Sequence, residues 1–393
     1  MPSSLAIQAT RQALIMANSI SSQQKIEFLR SLFKSERPPQ QKEHFTDTQE
    51  ADLSQWLGEH SLAPLVYYQF KSRWPSLAQK LYPAYLAGQG QNTLFLAQIQ
   101  RLNQLYSQTE HKAVLLKGAA LNQEIYPISG LRNMGDIDIW VQPQHLKSST
   151  YLLEQSKQYH FVQEPQSPYS ITSLANDELK FATTTPGDRI VELHGRSFPG
   201  WWLEYAANIN ETAIWQRTIQ SDTIAPFRLL SPEDQIIHLA VHTAIGHQFS
   251  SYVLHAYVDI GAVIQKYPLN WEKLIHLAQK QKLKTVLWIV LSHLKYFFDL
   301  DIPVDINEQL EPSRFQKKYL QKLLNADQIL QLHDYRQTTQ RLLILLSLTD
   351  YTGDMLRLIW GILWPNKEIF PHKPMSRFFR IRRLVHLLQT KQL

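Results

Sequence analysis

Asp136 and Asp138 stand two residues apart in the run Gly135-Asp136-Ile137-Asp138-Ile139-Trp140-Val141, where acids alternate with apolar side chains. That alternation has the period of a β-strand. Side chains at i and i+2 share one face, roughly 6.5–7 Å apart along the strand. Two carboxylates held so close repel each other unless a cation lies between them. In two-metal phosphoryl-transfer sites the ions sit about 3.5–4 Å apart, so such a pair can grip both. Mg²⁺ suits the chemistry, because it takes hard oxygen ligands and leaves positions for substrate phosphates. A third carboxylate is expected from a neighbouring strand. Glu192, in Ile190-Val191-Glu192-Leu193-His194, shares a face with His194 and has apolar neighbours on the other.

Lys117-Gly118 closes an apolar run over residues 113–116 and opens a helix. Glycine permits close approach of a phosphate, a helix N-terminus offers free N–H groups, and Lys117 adds positive charge. Arg132, four residues before Asp136, has the planar fork that suits phosphate oxygens. Plainer readings stand beside each of these. An isolated Asp-x-Asp is commonly a solvated turn, and Lys-Gly can be an ordinary turn. Arg132 could instead form a structural salt bridge with Asp136. His194 could bind metal, position Glu192, touch substrate or be a buried structural histidine. Met134 reads as core.

The order of VLLKGAALNQEIYPISGLRNMGDIDIWV and then VELHGRSF resembles the uncharacterised nucleotidyltransferase family of the DNA-polymerase-β-like superfamily. In that family a Leu-Lys-Gly turn precedes Arg-x-Met-x-Asp-x-Asp, and an acid-Leu-His strand follows. The matching positions are Lys117, Gly118, Arg132, Met134, Asp136, Asp138, Glu192, Leu193 and His194. The similarity runs over roughly residues 60–280, through LSPEDQIIHLAVHTAIGH to Asp259. Two positions depart from the superfamily pattern. Lys117-Gly118 replaces its usual Gly-Ser, which removes a phosphate-binding hydroxyl, and Glu192 stands where Asp is commoner. The resemblance implies NMP transfer from an NTP, with pyrophosphate released and two Mg²⁺ bound. The acceptor is then a hydroxyl on a small molecule, peptide or protein, with nucleic acid less favoured.

Two further constellations stay open. His238 and His242 are four apart on one helix face, with His247 and Asp259 beyond them. They could line the nucleotide or acceptor pocket, be structural, or hold a transition metal in a phosphohydrolase. The sequence His-Leu-Ala-Val-His lacks the Glu of a zinc protease. Residues 373–391 interleave Arg377, Arg380, Arg382, Arg383 and Lys391 with Phe378, Phe379, Ile381, Leu384 and Leu387. Such a helix can pack on its own domain, lie on a membrane or bind RNA.

The elements that must position these groups divide the chain in three. Residues 1–108 read as helical, with apolar residues at helical spacing in Ala13, Leu14, Ala17 and Ile20 and a polar connector over residues 37–52. Residues 109–228 form a small α/β core, mixed most clearly over 113–200, with a helix at 146–159 and a hairpin of 179–185 and 189–194 around Pro186-Gly187. Residues 229–393 are helical again, starting at the capping Ser231-Pro232-Glu233-Asp234. The class is α+β, a nucleotidyltransferase-like module with a mixed sheet between helical regions. With 393 residues, 44% of them hydrophobic, there is material for a sizeable core. The absence of cysteine excludes disulfides, thiolate nucleophiles and Cys-ligated zinc. No run of 18 apolar residues occurs and the start lacks the look of a signal peptide, so a cytoplasmic location is expected. The net charge of +6 suits an anionic partner without requiring nucleic acid. A non-catalytic nucleotide sensor on the same fold is the alternative from a different class.

Overall fold

The computed structural model describes residues 20–34, 45–162, 178–198, 200–250, 253–335, 340–365 and 376–390. The helix expected around Ala13, Leu14 and Ala17 and the first half of the 37–52 connector, residues 37–44, lie outside them, as do Lys373 and Lys391; the second half is not a connector, because the Thr46 side chain caps a helix over Asp47–Glu59. Seven strands form one mixed sheet: β1 (Val114–Leu115), β2 (Asp136–Trp140), β3 (Tyr159–Val162), β4 (Glu178–Thr183), β5 (Ile190–His194), β6 (Ile219–Gln220) and β7 (Arg228–Leu229). Their spatial order is β3-β4-β5-β2-β1-β7-β6. β2 and β5 run parallel, with Asp138 opposite Glu192 and Trp140 opposite His194. β4 and β5 are the expected antiparallel hairpin, and Gly187 turns it at φ +84°.

Two further features differ from the sequence expectation. The helix after β2 spans Leu146–Gln155, and Tyr159 belongs to β3. Lys157 adopts φ +58°, a left-handed conformation that ends the helix and turns the chain into the strand. The sheet also extends past residue 200 through β6 and β7. With two residues each, these strands show no alternation to read. Backbone geometry fixes them, through Arg228 N–H donating to the Ala113 carbonyl at 2.9 Å.

The two faces of the sheet have different fates. Leu115, Ile137, Ile139, Phe181, Val191 and Leu193 bury against Phe95, Ile99, Leu102 and Tyr106 of the long Pro75–Ser107 helix. The other face carries Asp136, Asp138, Glu192 and His194, and then Trp140. Trp140 joins a larger cluster with Leu53 and Trp56 from before the sheet and Ile236, Leu254 and Val290 from after it. Its ring meets Trp215 edge-on at 4.9 Å, worth about 0.5–1.5 kcal/mol beyond area burial. The preceding and following helices therefore share one core, and Trp56 Nε1 donates to the Leu330 carbonyl at 2.8 Å. The expected start at Ser231 holds: its hydroxyl accepts from Asp234 N–H and Pro232 is the first residue of Pro232–Val241. No described helix is long and apolar enough to cross a membrane.

Candidate active site

The parallel register of β2 and β5 is what assembles the site. Asp138 and Glu192 are neighbours on one face, and Asp136 lies one step outward at the start of β2. Asp138 is buried, and a single oxygen of it is doubly engaged. Lys117 Nζ donates to Asp138 Oδ1 at 2.6 Å, and His194 Nε2 lies 2.8 Å from the same atom. From β4, Lys180 Nζ sits 3.1 Å from Glu192 Oε1 and 3.4 Å from Glu178 Oε1. Asp138, Glu192 and His194 each offer a ligand atom within 4.8 Å of the others, the metal-capable trio among the described residues.

Electrostatics separate the acids. Burial opposes ionisation of Asp138, yet the charge of Lys117 and the hydrogen bond from His194 override it and hold its pKa well below the usual carboxylate range. Glu192 goes the other way. Burial, then Glu178, Asp138 and Asp136, push its carboxyl up to about 7. Burial also raises Asp136, with Asp138 adding to it. Burial works against the Lys117 ammonium, but Asp138 outweighs it and keeps the pKa raised. These are four carboxylates on one face, with two lysines to answer them.

Lys117 reaches Asp138 through an unusual backbone. After β1, Leu116 N–H bonds the Asp138 carbonyl at 3.1 Å, and Lys117 then turns at φ +45° as the Lys117–Glu124 helix starts. A left-handed conformation in a residue with a Cβ costs about 1–2 kcal/mol, strain of the kind held at functional sites. Gly118 is required for a second reason besides any phosphate. A Cβ there would overlap the Arg132 guanidinium. Arg132 does not pair with Asp136. Its Nε donates to both oxygens of Asp259, at 3.0 and 2.9 Å, and its Nη2 lies 2.8 Å from Asp259 Oδ2. Tyr126 Oη donates to the same carboxylate at 2.6 Å. Asp259 is thus committed to anchoring the loop before β2 onto the Val253–Lys266 helix. The phosphohydrolase arrangement that needed it as a metal ligand loses that support.

His238 and His242 approach Lys117 and Asp138 from Pro232–Val241 and the π-turn His242–Gly246 that follows it. Burial, and then Lys117, keep both imidazoles neutral, with His238 lowered to about 3 and His242 far below its ordinary value. His242 Nε2 meets His247 Nε2 at 2.9 Å. These histidines stand beside Lys117 and Asp138 as polar, uncharged groups. Sequence reasoning missed Lys180 and Glu178. Counting period two back through the Gly187 hairpin puts Lys180 opposite Glu192 and Glu178 opposite His194, and that count was the available signal.

Residues 46–299, more than half of the chain, match the family described as uncharacterised nucleotidyltransferase. No curated protein and no solved structure matches.

Proposed function

The chain belongs to that nucleotidyltransferase family, and on this ground we propose that it transfers NMP from an NTP to a hydroxyl-bearing acceptor and releases pyrophosphate. The observation that carries the reading is the register that sets Asp138 beside Glu192. The donor set fits a divalent cation. Asp136, Asp138, Glu178 and Glu192 crowd one face, and burial together with their mutual repulsion raises the Glu192 carboxyl to about 7, a charge surplus that a cation relieves. Asp136, Asp138 and Glu192 would hold two Mg²⁺ through oxygen. His194 is the wrong donor for so hard an ion, and it serves better by fixing Asp138 through its hydrogen bond. When bound, the ions lower the pKa of the acceptor hydroxyl and neutralise phosphate charge.

The chain's own groups do the rest. Lys117 and the free N–H groups at the start of its helix meet the phosphates. Glu192, besides holding a cation, is placed to take the acceptor proton. Neutral His242 and His238 contact nucleotide or acceptor without competing for the cations. Arg132, held by Asp259, shapes the loop that carries Asp136 into the site. On this reading residues 109–228 act as a polymerase-β-like module, and the helical regions on either side close the pocket and select a small-molecule, peptide or protein acceptor.

The test is pyrophosphate release from NTPs supplied with cell extract, for the wild-type chain and Asp136→Asn/Asp138→Asn. The double variant should fall below about one hundredth of wild type, with an unchanged fold by circular dichroism. Equal release by both refutes the site. Tight Mg²⁺-dependent NTP binding without release over any extract fraction establishes the sensor reading instead.

A further inference from the structure

The C-terminal helices present a surface that the transfer chemistry does not use. The Thr352–Leu363 helix buries Asp354, Leu358, Gly361 and Ile362. Its opposite stripe, Leu356, Trp360 and Leu363 at i, i+4 and i+7, faces outward, with Leu356 60% and Trp360 64% exposed. The Arg377–Thr390 helix repeats this. Phe379 packs on the core, while Phe378, Ile381 and Val385 at i, i+3 and i+7 are exposed. The two helices adjoin, because the Arg380 guanidinium lies over the Trp364 ring at 5.3 Å from its centre. Arg382 covers Phe378 in the same way at 4.3 Å.

Charge is concentrated on the same stretch. Residues 355–393 hold eight Lys and Arg against one acid, Glu368, more positive charge than the whole chain's net +6. The remaining residues are close to neutral. We infer that the outward stripes of these two helices form a docking surface for an anionic lipid bilayer, lying in its interface without crossing it. Arginines among Trp, Phe, Leu and Ile are the composition of interfacial helices. The apolar side chains enter the acyl boundary and the cations meet the headgroups. RNA would use the arginines and could stack on Trp360 and Phe378. It offers nothing to Leu356, Leu363, Ile381 and Val385, which form no hydrogen bonds and do not stack on bases. An aliphatic stripe gains only from an apolar phase.

Co-sedimentation of the full chain with phosphatidylcholine vesicles, with and without phosphatidylglycerol, tests this. The anionic vesicles should take up about tenfold more protein than the neutral ones at low salt, and the difference should shrink as salt rises. Trp360→Ser/Phe378→Ser changes exposed side chains only. It should keep the wild-type melting temperature and lose most of the uptake. Absence of uptake by anionic vesicles, or equal uptake by the variant, overturns the proposal. Retention of a random-sequence RNA without vesicle uptake overturns it in favour of nucleic acid. A concentration-dependent dimer dissolved by the variant, again without vesicle uptake, overturns it in favour of a second copy of the chain.

Discussion

Glu192 and Lys117 carry the sharpest consequences for single side chains. Glu192 has a carboxyl raised to about 7, so its protonated form favours the folded, metal-free protein. That contribution is fully present below the unfolded value near 4.5 and is lost as pH rises through about 7. Glu192→Gln should therefore make the metal-free protein relatively more stable than wild type above pH 7, read as melting temperature against pH. Divalent cation binding near pH 7, where Glu192 is about half protonated, should release about half a proton in wild type and much less in the variant, read by calorimetry in buffers of different ionisation enthalpy. Lys117 occupies the Asp138 oxygen that a cation needs. Lys117→Met should tighten Mn²⁺ binding in the absence of nucleotide, by about tenfold, and weaken NTP binding. Loss of both affinities together would contradict the placement. That Asp136, Asp138, Glu192 and Lys117 would come together was legible, because each sits on a short local pattern. The partner of Arg132 was not, because Asp259 lies 127 residues away and no local spacing points to it.

Between elements, the position of Asp136 depends on how the loop before β2 is pinned. Asp259 and Tyr126 hold Arg132, and Gly118 leaves room for its guanidinium. Gly118→Ala should cost about 1–3 kcal/mol by overpacking. Asp259→Ala should cost about 3–5 kcal/mol, because it strands a buried guanidinium. Both should lower the denaturation midpoint without changing its slope, and Asp259→Ala should reduce turnover although the residue touches no substrate. β2, the β4–β5 hairpin and the Ser231 helix start were readable from alternation, a Gly turn and a capping pattern. β6 and β7 were not, since two-residue strands carry no period. The left-handed Lys157 that ends the preceding helix is invisible in composition.

Among the described residues, one hydrophobic cluster joins helices that precede the sheet in sequence to helices that follow it. Residues 109–228 made alone would expose Val114, Leu116 and Trp140. That fragment should be aggregation-prone or molten, as judged by dye binding and near-ultraviolet circular dichroism. Buried histidines give the molecule its acid response. Burial lowers His60, His255 and His293 to about 4 and His238 to about 3. Stability from such groups is present above the unfolded value of about 6.5 and is lost as pH falls below it toward 4. Glu192 acts oppositely over part of that window, but four groups outweigh one. The melting temperature should fall steadily from pH 6.5 to 4, and a flat profile would contradict the neutral, buried state of these imidazoles.

Electron paramagnetic resonance of Mn²⁺ with a non-hydrolysable NTP analogue tests most directly whether the acids of β2 and β5 form a cation site. Wild type should bind about two ions per chain once nucleotide is present, and Asp138→Asn should lose them while remaining folded. Undiminished Mn²⁺ binding by Asp138→Asn, or no binding by wild type with any NTP analogue, would contradict it.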